Sequence, residues 1–330
     1  MLPLPFPRMQ EPPAKRSPWG LVLRLAVTAL GLGYLCFFKE WDAILSAVQG
    51  ARLHWLAAAF ACYGATTLLG MVRWQVLLHA SGLHWPARRT AQLTLIGLFA
   101  NTFMPGGMGG DLFKAVLASR EAPGQKTTLI MSIVMERVLG FVAMFLVSTA
   151  LILTRIGPLT AEPVTRWAVV LYFTVFALTV AALALGALPG AGRFIPLWQR
   201  LPVRETLADA GRAYQFFTGH RGCFWGGLAL SCLAHFSLLG ACFCVSLALG
   251  LDLDFWDLSA VMPLIALVVL AVPSMGGLGV RELAFQHFLT YAAITKETSI
   301  ALSLVFFAVT LGWGALGGLV WLTYRSSHRT

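Results

Sequence analysis

The chain has 330 residues, of which 58% are hydrophobic and only 12% are charged, and its mean hydropathy is +0.76. Soluble globular domains carry about a quarter charged residues, so this composition excludes a soluble globular domain and predicts an all-α polytopic membrane protein. The net charge of +10 indicates cytoplasmic loops that face anionic lipid headgroups. A nucleic-acid partner is excluded, because no segment can form a basic surface on a soluble domain.

The first long apolar run covers residues 19–38 and follows the basic residues Arg8, Lys15 and Arg16. This run is too long for the apolar core of a signal peptide and contains Arg24, so we interpret it as a retained first span. Five later runs also reach the roughly 20 residues that a spanning helix needs. They are residues 54–78, 127–153, 167–188, 223–250 and 298–324.

Two further apolar regions are too short to cross a bilayer. Residues 91–104 break at Pro105, and residues 258–272 break at Pro273 before another short apolar piece at 283–294. Segments of this length favour half-helices or re-entrant hairpins over complete crossings. We therefore expect about six full spans and two re-entrant or broken helix pairs.

Loop charge predicts the orientation, because Lys and Arg stay on the cytoplasmic side. The loop at 189–222 carries five arginines against two acidic residues and is placed inside, whereas the loop at 251–257 carries three aspartates and no base and is placed outside. Both termini then lie inside, in the cytoplasmic (inner) membrane. We divide the chain into a cytoplasmic tail at 1–18, a membrane domain at 19–324 and a cytoplasmic tail at 325–330.

This orientation requires the first hairpin to enter from the cytoplasm and the second from outside. The halves at roughly 19–153 and 167–324 then share the order span, span, hairpin, span, in opposite directions. That order is typical of an inverted-topology repeat, in which interrupted segments of both halves meet near the midplane. An accidental symmetry of the hydropathy pattern is the alternative.

Each break is rich in glycine and is followed by charge. Glycine lets the backbone approach a ligand closely, and a half-helix that starts after the break points its free N–H groups at an anion. We therefore predict a lipid-headgroup cavity at the breaks, and tight helix packing is the alternative. The residues are Pro105, Gly106, Gly107, Gly109, Gly110 and Asp111 at the first break, and Pro273, Gly276, Gly277 and Gly279 at the second.

Charge inside the membrane is the stronger signal of function. Glu136 and Arg137 lie about ten residues into the third full span, about 15 Å deep, where an exposed charge is expensive. Adjacent helical residues point about 100° apart, so we expect each to find a partner elsewhere. If these residues belong to a binding site, the arginine binds a phosphate group. The alternative is that they form a structural ion pair between two helices. The expected partners include Arg73, Asp111, Lys114, Arg281 and Glu282. We predict that the headgroup cavity is also lined by Asn101, Lys114, Glu136, Arg137, Arg281 and Glu282.

Three other polar residues accompany these charges. Arg73, next to Trp74, either extends towards the membrane interface or belongs to the site. Arg120 is expected to contact headgroups at the surface. Asn101 either satisfies backbone groups freed by the break or touches the ligand.

Motifs of soluble enzymes such as GxSxG, HExxH and Walker A do not occur in the sequence. The six cysteines form no CxxC pair, so we expect neither a zinc site nor a disulfide frame. No metal, cofactor or catalytic residue is predicted. A membrane-embedded transferase would need a second substrate site, and the sequence does not indicate one.

The chain resembles the flippase-like integral membrane domain that forms the transmembrane region of lysylphosphatidylglycerol synthases and that also occurs as stand-alone proteins. The resembling motifs span about residues 70–285, and the general layout covers nearly the whole chain. One departure is Lys114, where the family pattern has an arginine; lysine keeps the charge but lacks the planar fork. The motifs are Arg73-Trp74, Asn101 with Met104-Pro105 and Gly109-Gly110-Asp111, Glu136-Arg137-Val138-Leu139-Gly140, and Pro273 with Gly276-Gly277-Leu278-Gly279-Val280-Arg281-Glu282.

The resemblance implies translocation of a lipid between leaflets. The expected partner is an anionic or polyprenyl-phosphate-linked membrane lipid, and lipid or glycan biosynthetic enzymes are candidate protein partners. The alternative is a non-transporting accessory subunit of a lipid, hopanoid or cell-envelope glycan pathway. Because the chain ends at Thr330, soon after its last span, we do not expect the aminoacyl transfer that the soluble domain of the synthases performs.

Overall fold

The computed structural model describes residues 48–103, 109–187, 221–272, 277, 279–292 and 294–324, and the regular elements of these residues are all helices. The predicted first span at 19–38 lies outside the described residues. Short 3₁₀ turns precede α4 and follow α9. The helices are α1 (Leu53–Ala80), α2 (Ala87–Phe103), α3 (Gly109–Glu121), α4 (Lys126–Thr154), α5 (Ile156–Ala161), α6 (Pro163–Ala187), α7 (Arg221–Ala248), α8 (Phe255–Ala271), α9 (Val280–Phe288) and α10 (Lys296–Thr323).

Five of these helices, namely α1, α4, α6, α7 and α10, are long and apolar enough to cross a membrane. They coincide with the five later runs predicted from the sequence. Helix α8 is also apolar, but its 17 residues fall short of a full span. The prediction of an all-α polytopic membrane protein with additional short helices is therefore confirmed.

Helices α2 and α3 form a hairpin whose two open ends lie together. Arg89, in the first turn of α2, forms an ion pair with Glu121, the last residue of α3. The Tyr324 phenol, just after α10, donates a hydrogen bond to the same carboxylate. Burial and the neighbouring Glu121 raise the pKa of Tyr324, so this phenol stays protonated as a donor. The chain thus enters and leaves the hairpin at one end of the bundle, as a re-entrant segment does.

Helices α8 and α9 form a second hairpin. Arg155, between α4 and α5, binds Asp254 at 2.5 Å and Asp257 at 2.7 Å, at the start of α8. His287, in the last turn of α9, lies 3.6 Å from Glu162, which precedes α6. Because α4 begins beside the end of α3 and runs the length of the bundle to Arg155, the second hairpin opens at the opposite end from the first.

The two halves of the bundle run in opposite directions. Helices α1 and α7 pack antiparallel: the Arg52 backbone N–H donates to the Ala248 carbonyl at 2.8 Å, and at the other end the Cys223 thiol donates to the Val76 carbonyl at 3.9 Å. The last span of each half packs on the hairpin of the other half, α10 against α2 and α4 against α8. For the helices that the structure describes, these are the directions that an inverted repeat requires.

The apolar core has two main parts. The larger one lies where α4, α6, α7, α8, α9 and α10 meet, and Tyr172 and Phe285 are among its largest fully buried side chains. The other surrounds the fully buried indole of Trp74, near the open end of the first hairpin, and includes Leu93 and Leu129. The charged residues of α3 and α4 lie beside Trp74, so apolar packing fixes the helices that carry them.

Candidate functional site

Glu136 of α4 is held by two cations from other helices. Its Oε2 lies 2.7 Å from Lys114 Nζ of α3, and its Oε1 lies 3.2 Å from Arg73 Nη2 of α1. The side chains of Glu136, Lys114 and Arg73 are only 12%, 4% and 14% exposed. The Lys114 ammonium also lies 3.6 Å from the ring centroid of Trp74, and the face of an indole attracts a cation. This buried triad of Arg73, Lys114 and Glu136 joins three helices inside the bundle.

Arg137, the next residue, pairs with Asp111 in the first turn of α3. The Arg137 and Asp111 side chains are 46% and 22% exposed, which is more than any member of the triad. Helix α3 is therefore fastened to α4 by two ion pairs, Asp111 with Arg137 and Lys114 with Glu136. We call these four residues and Arg73 the first charge cluster. Its three cations and two carboxylates give a net charge of 3 − 2 = +1.

The expectation that Glu136 and Arg137 find separate partners on other elements is confirmed. The side chain of Arg73 is mostly buried in the first charge cluster and does not extend to the interface. Its Nη1 also donates to the Ser231 hydroxyl of α7 at 2.8 Å. Arg73 therefore connects the first half of the chain to the second.

The start of α3 is capped from α2. The Asn101 side-chain oxygen accepts a hydrogen bond of 2.9 Å from the Gly110 backbone N–H. A Cβ atom at Gly110 would overlap the carbonyl oxygen of Gly97, so only glycine allows α2 and α3 to approach this closely. Of the two interpretations of Asn101, satisfaction of a freed backbone group is what the structure has, and Gly110 serves close packing.

A second charge cluster follows the second break. Glu282 of α9 is fully buried, and its Oε2 accepts a hydrogen bond of 2.7 Å from the Gly279 backbone N–H. Its Oε1 binds Arg281 and accepts from the Ser303 hydroxyl of α10 at 3.2 Å. Arg281 donates to Ser303 at 2.9 Å and lies 4.4 Å from the ring centroid of Phe307. The second charge cluster, Arg281 with Glu282 and Ser303, is thus internally paired and carries no net charge.

The two clusters lie at different depths along α7. Ser231 of α7 contacts Arg73, and Cys242, eleven residues later, is fully buried in the apolar core that α9, the helix of Arg281, also enters. Eleven helical residues rise by about 16 Å. Within the part of the chain that the structure describes, no hydrogen bond or ion pair joins the two clusters. Arg281 and Glu282 are therefore partners of each other and not of Glu136 or Arg137.

The other predicted site residues lie at the starts of α3 and α9, at the protein surface or outside the described residues. Gly109 is half-buried at the start of α3, and Arg120 is exposed in its last turn, at the surface as expected. Gly277 and Gly279 have φ angles of 77° and 82°, in the left-handed region that favours glycine. Five predicted cavity residues lie outside the described residues, namely Pro105, Gly106, Gly107, Pro273 and Gly276.

Sequence reasoning misses two serines that contact the arginines of the clusters, Ser231 and Ser303. Each lies in a long apolar run that also contains other serines, and a hydrogen bond to the preceding helical turn is an equally good explanation of a serine there. Ser231 makes that bond as well, to the Gly227 carbonyl at 2.7 Å. No signal in the sequence distinguishes these two serines from serines that bond only within their own helix. Among the residues that the structure describes, no three His, Cys, Asp or Glu side chains are grouped to hold a metal ion.

Comparison with known proteins agrees with this architecture. The family described as the lysylphosphatidylglycerol synthase TM region matches residues 21–318, which include both hairpins and both charge clusters. A UPF0104 membrane protein of Methanothermobacter thermautotrophicus is 26% identical over 190 residues, covering 57% of this chain and 53% of that relative. The match thus spans about half the length of the relative. The chain is a multi-pass helical membrane protein that belongs to the family of the lysylphosphatidylglycerol synthase transmembrane region.

Proposed function

We propose that this protein moves an anionic phospholipid or a polyprenyl-phosphate-linked lipid between the leaflets of the cytoplasmic membrane. The observation that carries the proposal is the guanidinium of Arg137, whose side chain is 46% exposed within a spanning helix. Arg137 lies eleven residues into α4, about 16 Å along its axis. A charge at this depth faces the bundle interior or a water-filled cavity and is a functional-site candidate by default.

Arg137 has the chemistry to bind a phosphate group. Its planar guanidinium offers paired N–H donors that match two phosphate oxygens. Its partner Asp111 is itself partly exposed, so an incoming phosphate can replace the carboxylate. The net charge of +1 in the first charge cluster favours an anionic headgroup over a neutral one.

In this proposal Arg137 binds the phosphate, and the buried triad of Arg73, Lys114 and Glu136 only positions it. Lys114 is buried and is bound to Glu136 and to the face of Trp74, so its charge is already compensated. Arg73 is likewise bound to Glu136 and Ser231. These residues hold α3 against α4 and thereby position Arg137. We assign no covalent step to any of them.

Loop charge supports a cytoplasmic opening of the first hairpin. Arg88, Arg120 and Lys126 are exposed at the end of the bundle where that hairpin opens. The opposite end carries Asp254 and Asp257, both bound to Arg155. By the positive-inside rule the first of these ends is cytoplasmic. The headgroup would then reach Arg137 from the cytoplasmic leaflet.

The proposal is tested by lipid translocation in proteoliposomes that contain the purified full-length protein. Acyl-chain-labelled fluorescent phosphatidylglycerol and a fluorescent polyprenyl phosphate are the anionic probes, and labelled phosphatidylcholine is the comparison. A membrane-impermeant quencher reports the fraction of probe in the outer leaflet. We expect wild-type protein to accelerate exchange of an anionic probe, and Arg137→Gln to lower that rate at least about tenfold, which corresponds to about 1.4 kcal/mol.

Arg120→Gln is the matched control, because this arginine is exposed in the last turn of α3. It should translocate the probe at the wild-type rate. An Arg137→Gln protein that folds normally and keeps the wild-type rate contradicts the proposal. Wild-type protein that is inactive alone, but is required for activity of a lipid or glycan biosynthetic enzyme with which it purifies, indicates the accessory role instead.

A further inference from the structure

One side of α7 carries polar side chains at three depths. Ser231, His235 and Cys242 fall within about 40° of one another around the helix axis, because each helical residue advances by about 100°. Ser231 contacts Arg73 of the first charge cluster, and Cys242 lies in the buried core that α9, the helix of Arg281, also enters. His235 lies between them, about 6 Å along the axis from Ser231 and about 10 Å from Cys242.

His235 contacts α4 and belongs to neither charge cluster. Its Nε2 lies 3.3 Å from the hydroxyl oxygen of Ser148, which is fully buried. The adjacent Thr149 hydroxyl lies 3.5 Å from the phenol of Tyr172 in α6. These side chains form a polar layer across α4, α6 and α7, at a depth where the other packed residues, such as Val147 and Leu239, are apolar.

A polar layer at this depth bears directly on the movement of a phosphate. Ser148 lies eleven residues beyond Arg137 on α4, about 16 Å farther along that helix. An ionised group in an apolar medium without a hydrogen-bond partner is strongly disfavoured. Donors placed between the clusters divide the crossing into two shorter steps, each of which ends at a polar partner.

We propose that His235 and Ser148 form an intermediate binding position for the phosphate of the lipid headgroup, between Arg137 and Arg281. This inference rests on the proposed lipid translocation. An imidazole N–H and a serine O–H both donate to phosphate oxygens. Ser148 is fully buried in this structure, so the headgroup has no access to this position here. In this proposal the position opens to the headgroup only while the lipid crosses the membrane. It therefore affects the rate of translocation, whereas equilibrium binding of the lipid depends on Arg137.

The test compares His235→Leu and Ser148→Ala with wild type in phosphatidylcholine vesicles that contain labelled phosphatidylglycerol. Each variant should lower the translocation rate about tenfold or more. The affinity for labelled phosphatidylglycerol, measured with the same proteins in detergent, should stay at the wild-type value. His235→Gln keeps a side-chain N–H donor and should recover part of the rate, which a purely steric role of the ring does not predict.

Ser246→Ala is the matched control, because Ser246 is also buried on α7 but bonds within its own helix, to the Phe243 carbonyl at 2.7 Å. It should keep the wild-type rate. An unchanged rate in folded His235→Leu protein, or an equal loss of rate and of affinity, overturns the intermediate position. If His235→Leu does not fold, Ser148→Ala and His235→Gln decide the question. Inactive wild-type protein contradicts the proposed function itself, so the two failures are distinguishable.

Discussion

At the residue scale, the two adjacent charges of α4 differ in how deeply their side chains are buried. Glu136 is 12% exposed and compensates two buried cations, whereas Arg137 is 46% exposed and has one carboxylate partner. Removing one partner of a buried ion pair is costly, because the remaining charge is left uncompensated away from water. An exposed pair is screened by solvent and contributes little. Glu136 is therefore the residue on which the stability of the cluster depends.

The substitution Glu136→Gln should destabilise the fold strongly. It leaves Arg73 and Lys114 buried without a carboxylate, at a cost of about 3–5 kcal/mol. Asp111→Asn is the matched control, since it removes a carboxylate from the more exposed pair and should cost at most about 1 kcal/mol. Thermal unfolding of the purified variants in detergent measures both effects. Glu136→Gln protein with the wild-type unfolding temperature would show that the triad does not stabilise the bundle.

At the element scale, the first hairpin is held by close backbone contact as well as by charge. Helix α10 crosses α2 at three glycines, and a Cβ atom at any of them would press on α2. Gly314 faces Thr102, Gly317 faces the Leu95 carbonyl, and Gly318 faces Phe99. Small residues let membrane helices approach closely and gain van der Waals contact. The hairpin is thus fixed between α10 on one side and the ion pairs to α4 on the other.

The substitution Gly317→Ala should separate α2 from α10, because its Cβ would overlap the Leu95 carbonyl oxygen. Overpacking of this kind costs about 1–3 kcal/mol. Gly240→Ala, within α7, is the matched control, since nothing lies within 4 Å of a Cβ there. The control should be neutral or stabilising by up to about 1 kcal/mol. Thermal unfolding again reports the difference, and equal unfolding temperatures for the two variants would contradict close packing at Gly317.

At the scale of the whole molecule, opposed directions of the two halves place the hairpins on opposite sides of the bundle. Arg89 and Glu121 hold the ends of the first hairpin together, and Arg155 and His287 lie at the ends of the second. The first charge cluster is half-open, while the second is closed, with Arg281 12% exposed and Glu282 fully buried. Among the described residues, the first charge cluster is therefore the more accessible of the two.

Cysteine labelling should show this topology directly. In a variant whose six native cysteines are alanine, Arg88→Cys and Arg120→Cys should react with a membrane-impermeant thiol reagent from the same side, because both are exposed at the open end of the first hairpin. Thr290→Cys, exposed beyond α9, should react only from the opposite side. Labelling of Arg88→Cys and Arg120→Cys from opposite sides would mean that α2 and α3 together cross the membrane.

Much of the fold follows from local sequence. The positions of the five described spans follow from apolar length, because about 20 apolar residues suffice for one crossing wherever they occur. The ends of α2 and α8 follow from the Pro- and Gly-rich stretches that begin at Pro105 and Pro273, since proline and glycine together disfavour a continued helix. The presence of buried charge at Glu136 and Arg137 also follows, since depth within a span can be counted along the helix.

The choice of partners depends on tertiary structure alone. Glu136 forms ion pairs with Arg73 and Lys114. Arg73 also donates a hydrogen bond to Ser231, and Arg281 forms an ion pair with the adjacent Glu282. These pairings depend on how far each helix is rotated and how deep it lies relative to the others. Both quantities are set by packing between segments far apart in the chain, such as α10 on α2, and no local pattern encodes them. The sequence by itself determined the spans and the charges within them, and only the tertiary structure decided which charge is compensated and which is left accessible.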